Sequence, residues 1–169
     1  MKLFKNRIFI SFILITCHVT NLVKSQTRVV GGQNSSDGEF PYIVSIRFRN
    51  IHVCGGTIVS NRYILSAAHC LVSEFQFSGP ISEHLQKIYL NIFDHHECTR
   101  EWKYINNGHI CISTSIGRGS CVGDSGGPIL ANHYQIGIIS FGQLCAGGKP
   151  DVTTKVFHYL DWINSYISY

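Results

Sequence analysis

The placement of cysteines constrains what this chain can fold into more than any other feature. Seven occur in 169 residues, and the first, Cys17, sits in a segment that reads as a leader. Lys2, Lys5 and Arg7 lead into the apolar stretch from Ile8 to Ile15, and small or polar residues follow to Ser25. A basic start, an apolar middle and a cleavable end at Val23-Lys24-Ser25 predict a signal peptide over residues 1–25. The apolar run is far shorter than the roughly 20 residues of a membrane-spanning helix, so an exported product free of the membrane is expected. Six cysteines remain, Cys54, Cys70, Cys98, Cys111, Cys121 and Cys145. An even number in an exported chain predicts disulfides, although counting leaves their pairing open.

Export changes the charge argument. Five of the fourteen basic residues, Lys2, Lys5, Arg7, Lys24 and Arg28, precede Val29, and the rest of the chain carries nine basic against ten acidic residues. The formal +4 of the whole sequence therefore points to neither a nucleic-acid nor a membrane partner. Asn34-Ser35-Ser36 is a glycosylation acceptor pattern in such a chain.

From Val29 the chain is long enough for one domain with a real core. Its apolar runs are short, β-branched or aromatic, and punctuated by glycine, which predicts an all-β fold. Tyr42–Arg49 and the run from His52 to Val59 read as a hairpin, with Tyr63–Ala67 a third strand ending near His69. From Leu71 to Pro80 the chain is irregular. Leu85–Phe93 reads as one strand, Asp94–Tyr104 as a short helix, and Ile129–Ala131 and Gln135–Ser140 as buried strands. Val156, Tyr159, Leu160, Trp162, Ile163 and Ile167 recur at spacings of mostly three and four, predicting a terminal amphipathic helix.

The string most pointed toward chemistry is Gly123-Asp124-Ser125-Gly126-Gly127-Pro128. A serine held between glycines on a tight turn exposes its hydroxyl, with backbone N–H groups aimed at the same space, as an acyl-transfer oxyanion requires. Alone, such a string is more often a surface turn. Three further strings change the weighing: Arg28-Val29-Val30-Gly31-Gly32, Ser66-Ala67-Ala68-His69-Cys70 and Ser140-Phe141-Gly142. Together the four resemble the chymotrypsin and trypsin family of serine peptidases, insect chymotrypsins in particular, over two blocks of Val29–Tyr169.

The resemblance implies a double β-barrel with a C-terminal helix and assigns roles. Ser125 is the expected nucleophile, His69 its general base, and the N–H groups of Gly123 and Ser125 the oxyanion donors. Cleavage after Arg28, releasing the short propeptide 26–28, would free the Val29 amine to pair with Asp124. The implied disulfides are Cys54 with Cys70, Cys98 with Cys111, and Cys121 with Cys145. No cofactor is implied. His95, His96 and Cys98 offer zinc-ligand types, but the disulfide is the better use of Cys98, so no metal is expected. The remaining histidines read as structural.

Substrates are expected to be proteins or peptides, with an activating protease and serine-protease inhibitors as further partners of a monomer. The pocket would lie among Gly119, Ser140, Gly142 and Asp151. Trypsin-like members carry an aspartate six residues before the nucleophile, where this chain has Gly119, so large apolar side chains are expected to fit. Asp151, on the opposite wall, would widen the preference toward basic side chains unless it turns to solvent.

One part of the family pattern is absent. The aspartate that orients the catalytic histidine in an Asp-Ile-Ala-Leu-like segment has no counterpart. Asp94 and Asp124 are the only aspartates between His69 and Ser125. The two catalytic positions lie 56 residues apart, under half the usual span, which places an internal deletion between Leu71 and Ser78. The first barrel is then expected to be incomplete, with open strand edges and nothing to set the distance from His69 to Ser125. Such a chain would turn over little or no substrate. A non-catalytic homologue using its groove as a protein-binding module is the alternative.

Overall fold

The computed structural model describes residues 29–72, 82–143 and 145–167, together with the backbone of 12–16. Along the chain run β1 (Phe12–Thr16), β2 (Val29–Val30), β3 (Gln33–Asn34), β4 (Ile43–Phe48), β5 (Ile51–Ile58), β6 (Tyr63–Ala67) and the single turn α1 (His69–Val72). Then come β7 (Gln86–Lys87), β8 (Ile92–Phe93), α2 (His95–Glu101), β9 (His109–Ile112), β10 (Gly119–Ser120), β11 (Pro128–Ala131), β12 (Tyr134–Phe141) and β13 (Asp151–Lys155). A 3₁₀ turn, Val156–Tyr159, leads into α3 (Leu160–Ile167).

Two tight turns organise the sheets. Arg49 and Asn50 take φ of 48° and 66°, and Asn132 and His133 take 48° and 67°. Two consecutive left-handed residues match the right-handed twist of the flanking strands, so Phe48 faces Ile51 across one hairpin and Ala131 faces Tyr134 across the other. The expected first hairpin and third strand are present. The single strand expected over Leu85–Phe93 is not: β7 pairs with β3, whereas β8 pairs with β9. Its apolar residues were read as one continuous run, but the two ends serve different sheets.

The strands form two main open sheets, one in the order β1-β6-β5-β4 and one in the order β11-β12-β13-β9-β8. Neither closes, and the architecture is a chymotrypsin-like double barrel whose first barrel is incomplete. The edge strand beside β6 is β1, in register from Phe12 against Ala67 to Thr16 against Tyr63. Phe12–Thr16 belongs to the segment read as a signal peptide; cleavage of that segment would bare the N–H and C=O groups along the outer edge of β6. The rest of that segment and the propeptide lie outside the described residues, as does most of the stretch where the deletion was placed.

The main core joins the two sheets. Val53, Cys54, Leu65 and Ala67 from the first sheet and Cys70 of α1 pack with Ile138 of β12, Val156, and Ile163 of α3. Trp162 and Ile167 of α3 cover the same cluster, which is where the helical spacing of apolar residues pointed. A second cluster, Cys98, Ile105, Cys111 and Val152, lies beneath α2. The six cysteines pair as the resemblance implied: Cys54–Cys70, Cys98–Cys111 and Cys121–Cys145. Among the described residues no helix is long and apolar enough to cross a membrane.

Candidate active site

β6 carries four buried residues, Ile64 to Ala67, and delivers His69 to the first position of α1. The disulfide from Cys70 to Cys54 ties that turn to β5. The His69 imidazole is partly buried, and desolvation pushes its pKa below the ordinary 6.5, because burial disfavours the charged ring. Ligand atoms of Cys54, His69 and Cys70 lie within 4.8 Å of one another. Both sulfurs are committed to the disulfide, so the thiolates a metal would need are absent.

The Ser125 loop turns through two left-handed glycines, Gly123 at φ 102° and Gly126 at φ 81°. The Gly126 N–H donates to Ile139 O at 2.8 Å, and Ile139 N–H returns a bond to Gly127 O at 2.9 Å, which holds the loop on β12. The N–H groups of Gly123 and Ser125 have no acceptor among the described residues. Asp124 is buried between them, its Oδ2 accepting from the Cys121 N–H at 2.8 Å.

The packing of this loop seats its backbone on the first sheet. The Gly55 N–H of β5 donates to Ser125 O at 2.9 Å, and Cys70 Sγ lies 3.7 Å from the same carbonyl. Gly126 fits so closely that a Cβ there would overlap Ser66 Oγ and lie 2.5 Å from Gly55 O. β5 and β6 carry the docking. The backbone of the loop is therefore placed against the strand leading to His69, although no hydrogen bond joins the His69 ring to Ser125 Oγ among the described residues.

His52, which the sequence offered only as one more structural histidine, contacts the loop directly. Its Nε2 lies 2.9 Å from Gly123 O and its Nδ1 lies 2.8 Å from Ser45 Oγ. A carbonyl only accepts, so Nε2 is the protonated nitrogen. Ser45 Oγ accepts from Arg47 Nε at 3.3 Å, which leaves its own hydrogen for Nδ1. The buried ring thus pins the carbonyl side of the peptide that leads into Asp124. The only trace in the sequence is a histidine two residues before Cys54 on an otherwise apolar strand, where alternation turns both inward.

No carboxylate reaches His69 among the described residues. Asp94 caps α2, accepting from the Glu97 N–H at 2.9 Å, and Asp124 is engaged beneath Ser125.

Of the residues expected to line a pocket, Gly119, Gly142 and Asp151 come together. β2 pairs with β10, Val30 facing Gly119 and Val29 facing Ser120, which brings the chain after Arg28 beside the turn that holds Asp124. Asp151 is buried at 4% exposure, so it does not turn to solvent. Its Oδ2 accepts from Ser120 N–H at 2.9 Å and from Ser120 Oγ at 2.7 Å. A Cβ on Gly142 would collide with Oδ1, and one on Gly119 would come within 3.3 Å of Oδ2. Ser140 lies at the bulge where β12 shifts register against β13. Trp102 Nε1 donates to Pro150 O at 2.8 Å and meets Phe141 edge-on at 5.4 Å, bracing this wall.

His109, like His69, is held below the ordinary 6.5, first by burial and further by His95 and His158 nearby, with a hydrogen bond to Asn106 opposing. A histidine with a lowered folded pKa takes up its proton in the unfolded chain first as pH falls. Its full contribution to stability is present above about 6.5 and is lost below it. Thermal melts between pH 8 and pH 5 should show this loss, and a chain carrying His69→Gln and His109→Gln should show less of it. An unchanged pH profile in that variant would contradict the assignment.

The trypsin family model matches the chain in two blocks, residues 29–78 and 72–163. Chymotrypsin-2 of Vespa crabro is 30% identical over 215 aligned residues, covering 80% of this chain and 98% of that protein. A chymotrypsin-like serine proteinase of Haliotis rufescens is 24% identical over 250 residues, covering 92% and 98%. Brachyurin of Leptuca pugilator is 39% identical over 87 residues, covering 50% and 38%. The first two alignments are longer than the 169 residues of this chain, so each relative holds positions that face no residue here. With its family model matched over residues 29–78 and 72–163, this chain belongs to the trypsin family of serine endopeptidases.

Proposed function

We propose that this chain derives from a secreted serine endopeptidase made as a zymogen, and that loss of an internal segment near residues 71–78 leaves it with little or no turnover. The observation that carries the reading is the docked Ser125 loop, with two unengaged N–H groups beside the nucleophile and β6 leading to His69. In the reaction this geometry serves, Ser125 Oγ attacks a peptide carbonyl while His69 takes its proton. The Gly123 and Ser125 N–H groups stabilise the oxyanion, and His69 then protonates the departing amine. Water, activated by the same imidazole, releases the acyl group. Burial keeps His69 in the neutral form that a base requires, but among the described residues no carboxylate reaches the ring to orient it or balance its charge.

The two matched blocks and the longer alignments support a deletion rather than a substituted aspartate. The leader pattern and the three disulfides support export. For activation, the β2–β10 pairing supports cleavage after Arg28, since the freed Val29 amine would begin beside the Cys121–Asp124 turn.

For specificity, Gly119, Ser140, Gly142 and Asp151 form the proposed site for a large apolar side chain, with the buried Asp151 carboxylate beside it also admitting a cation. Ligand fragments test this without needing turnover. Indole and benzamidine, an apolar and a cationic probe, should both bind competitively, and Asp151→Asn should weaken benzamidine binding at least about tenfold, the scale of one lost charged hydrogen bond. Indole binding should persist in that variant. Binding restricted to benzamidine would rule out the apolar preference.

A further inference from the structure

We propose that Asn34 is an N-glycosylation site, a reading that rests on the export proposed above. Asn34-Ser35-Ser36 is followed by Asp37, so no proline interrupts the acceptor pattern. β3 pairs with β7, Asn34 facing Gln86. Alternation along the extended chain separates the three residues by face. Ser35 turns inward, its N–H and Oγ both donating to Leu85 O at 2.9 and 3.0 Å. Asn34 and Ser36, the two side chains an acceptor site uses, are exposed.

The amide orientation at Asn34 follows from its partners. Gln86 Nε2 lies 3.2 Å from the carbonyl oxygen of His84, and a carbonyl accepts, so a nitrogen must occupy that position on Gln86. The same Nε2 lies 2.5 Å from Asn34, which makes the facing atom of Asn34 the acceptor Oδ1. Nδ2, the atom that receives the sugar, is therefore on the side away from Gln86. The folded surface can carry a glycan there while keeping the Gln86 hydrogen bond, since a substituted amide retains its oxygen. The β3–β7 pair is a sheet separate from those holding β5, β10, β12 and β13, so the sugar stands on elements that contribute nothing to the Ser125 loop or the pocket.

The donor is a lipid-pyrophosphate-linked oligosaccharide. The Nδ2–C1 bond forms as the C1–O bond to pyrophosphate breaks, Nδ2 gives up one proton, and the lipid pyrophosphate leaves; no atom is oxidised or reduced.

The test is expression of the full chain in a secretory eukaryotic cell, with cell and medium fractions examined before and after peptide N-glycosidase. The wild-type chain should drop by one discrete mobility step on treatment, and its tryptic peptide should then carry aspartate in place of Asn34. Asn34→Gln and Ser36→Ala should run at the lower position without treatment, and Ser36→Thr should keep the upper one. A wild-type chain that enters the secretory route yet shows no step in either fraction overturns the proposal and leaves the export reading intact. A chain that never enters that route removes both.

Discussion

A preparation of this chain cleaved after Arg28 is expected to hydrolyse peptide substrates about 10⁴-fold or more slowly than a family member with a complete triad. The electrostatics of His69 set the direction. In the transition state the imidazole must hold a positive charge, and burial already disfavours that charge. In a complete triad, a buried aspartate offsets the cost and holds the ring in the tautomer that presents its free nitrogen to the serine. Here Asp94 caps a helix and Asp124 supports the oxyanion loop. Restoring a relative's segment between Leu71 and Ser78 should recover most of the deficit, and Ser125→Ala in the restored chain should abolish it again. Turnover by the unmodified chain at the rate of a complete enzyme, and sensitive to Ser125→Ala, would sink the proposal.

The second large effect is structural: Gly126→Ala should destabilise the fold by about 2–5 kcal/mol. A left-handed φ costs an L-residue roughly 1–2 kcal/mol, and overpacking a filled site adds about 1–3 kcal/mol. Gly126 combines φ 81° with backbone and Ser66 Oγ where its Cβ would go. Gly38 separates the two contributions, since it has φ 75° and nothing within 4 Å of the same position, so Gly38→Ala should cost only the strain. Urea unfolding compares the totals. Amide exchange at Gly55, whose N–H donates to Ser125 O, reports whether the loop has lifted off β5. Equal losses in the two variants would mean that the loop does not depend on this docking.

Much of the local architecture is legible from particular residues. Asn50 and Asn132 tolerate left-handed backbone, and each sits in the turn between two apolar runs. Asp94, ahead of an otherwise weak helical pattern, gives α2 its cap. The apolar spacing from Val156 to Ile167 locates the helix that closes the core, although its first turn winds as 3₁₀. Leu85–Phe93 misled because periodicity reports which side chains are apolar, not which partner each end of a run will meet. β13 was missed for a related reason: its Asp151-Val152-Thr153 is buried throughout, so polar residues that sequence places at a surface are instead satisfied by β10 and β9.

By itself the sequence pointed to the family, marked the Gly123–Pro128 string and carried the cysteine inventory, with Asp94 and Asp124 as the only aspartates between His69 and Ser125, because each is read directly along the chain. Only the tertiary structure decided how the loop is held. His52 meets Gly123 and Gly55 meets Ser125 across about 70 residues, and Asp151 reaches Ser120 across 31. Such pairings depend on how sheets pack, and no local pattern encodes which backbone carbonyl a distant side chain or N–H will find. β5 and β6 pack against the Ser125 loop, so in the proposed reading the nucleophile keeps its seat while its base lacks, among the described residues, a carboxylate that would orient it.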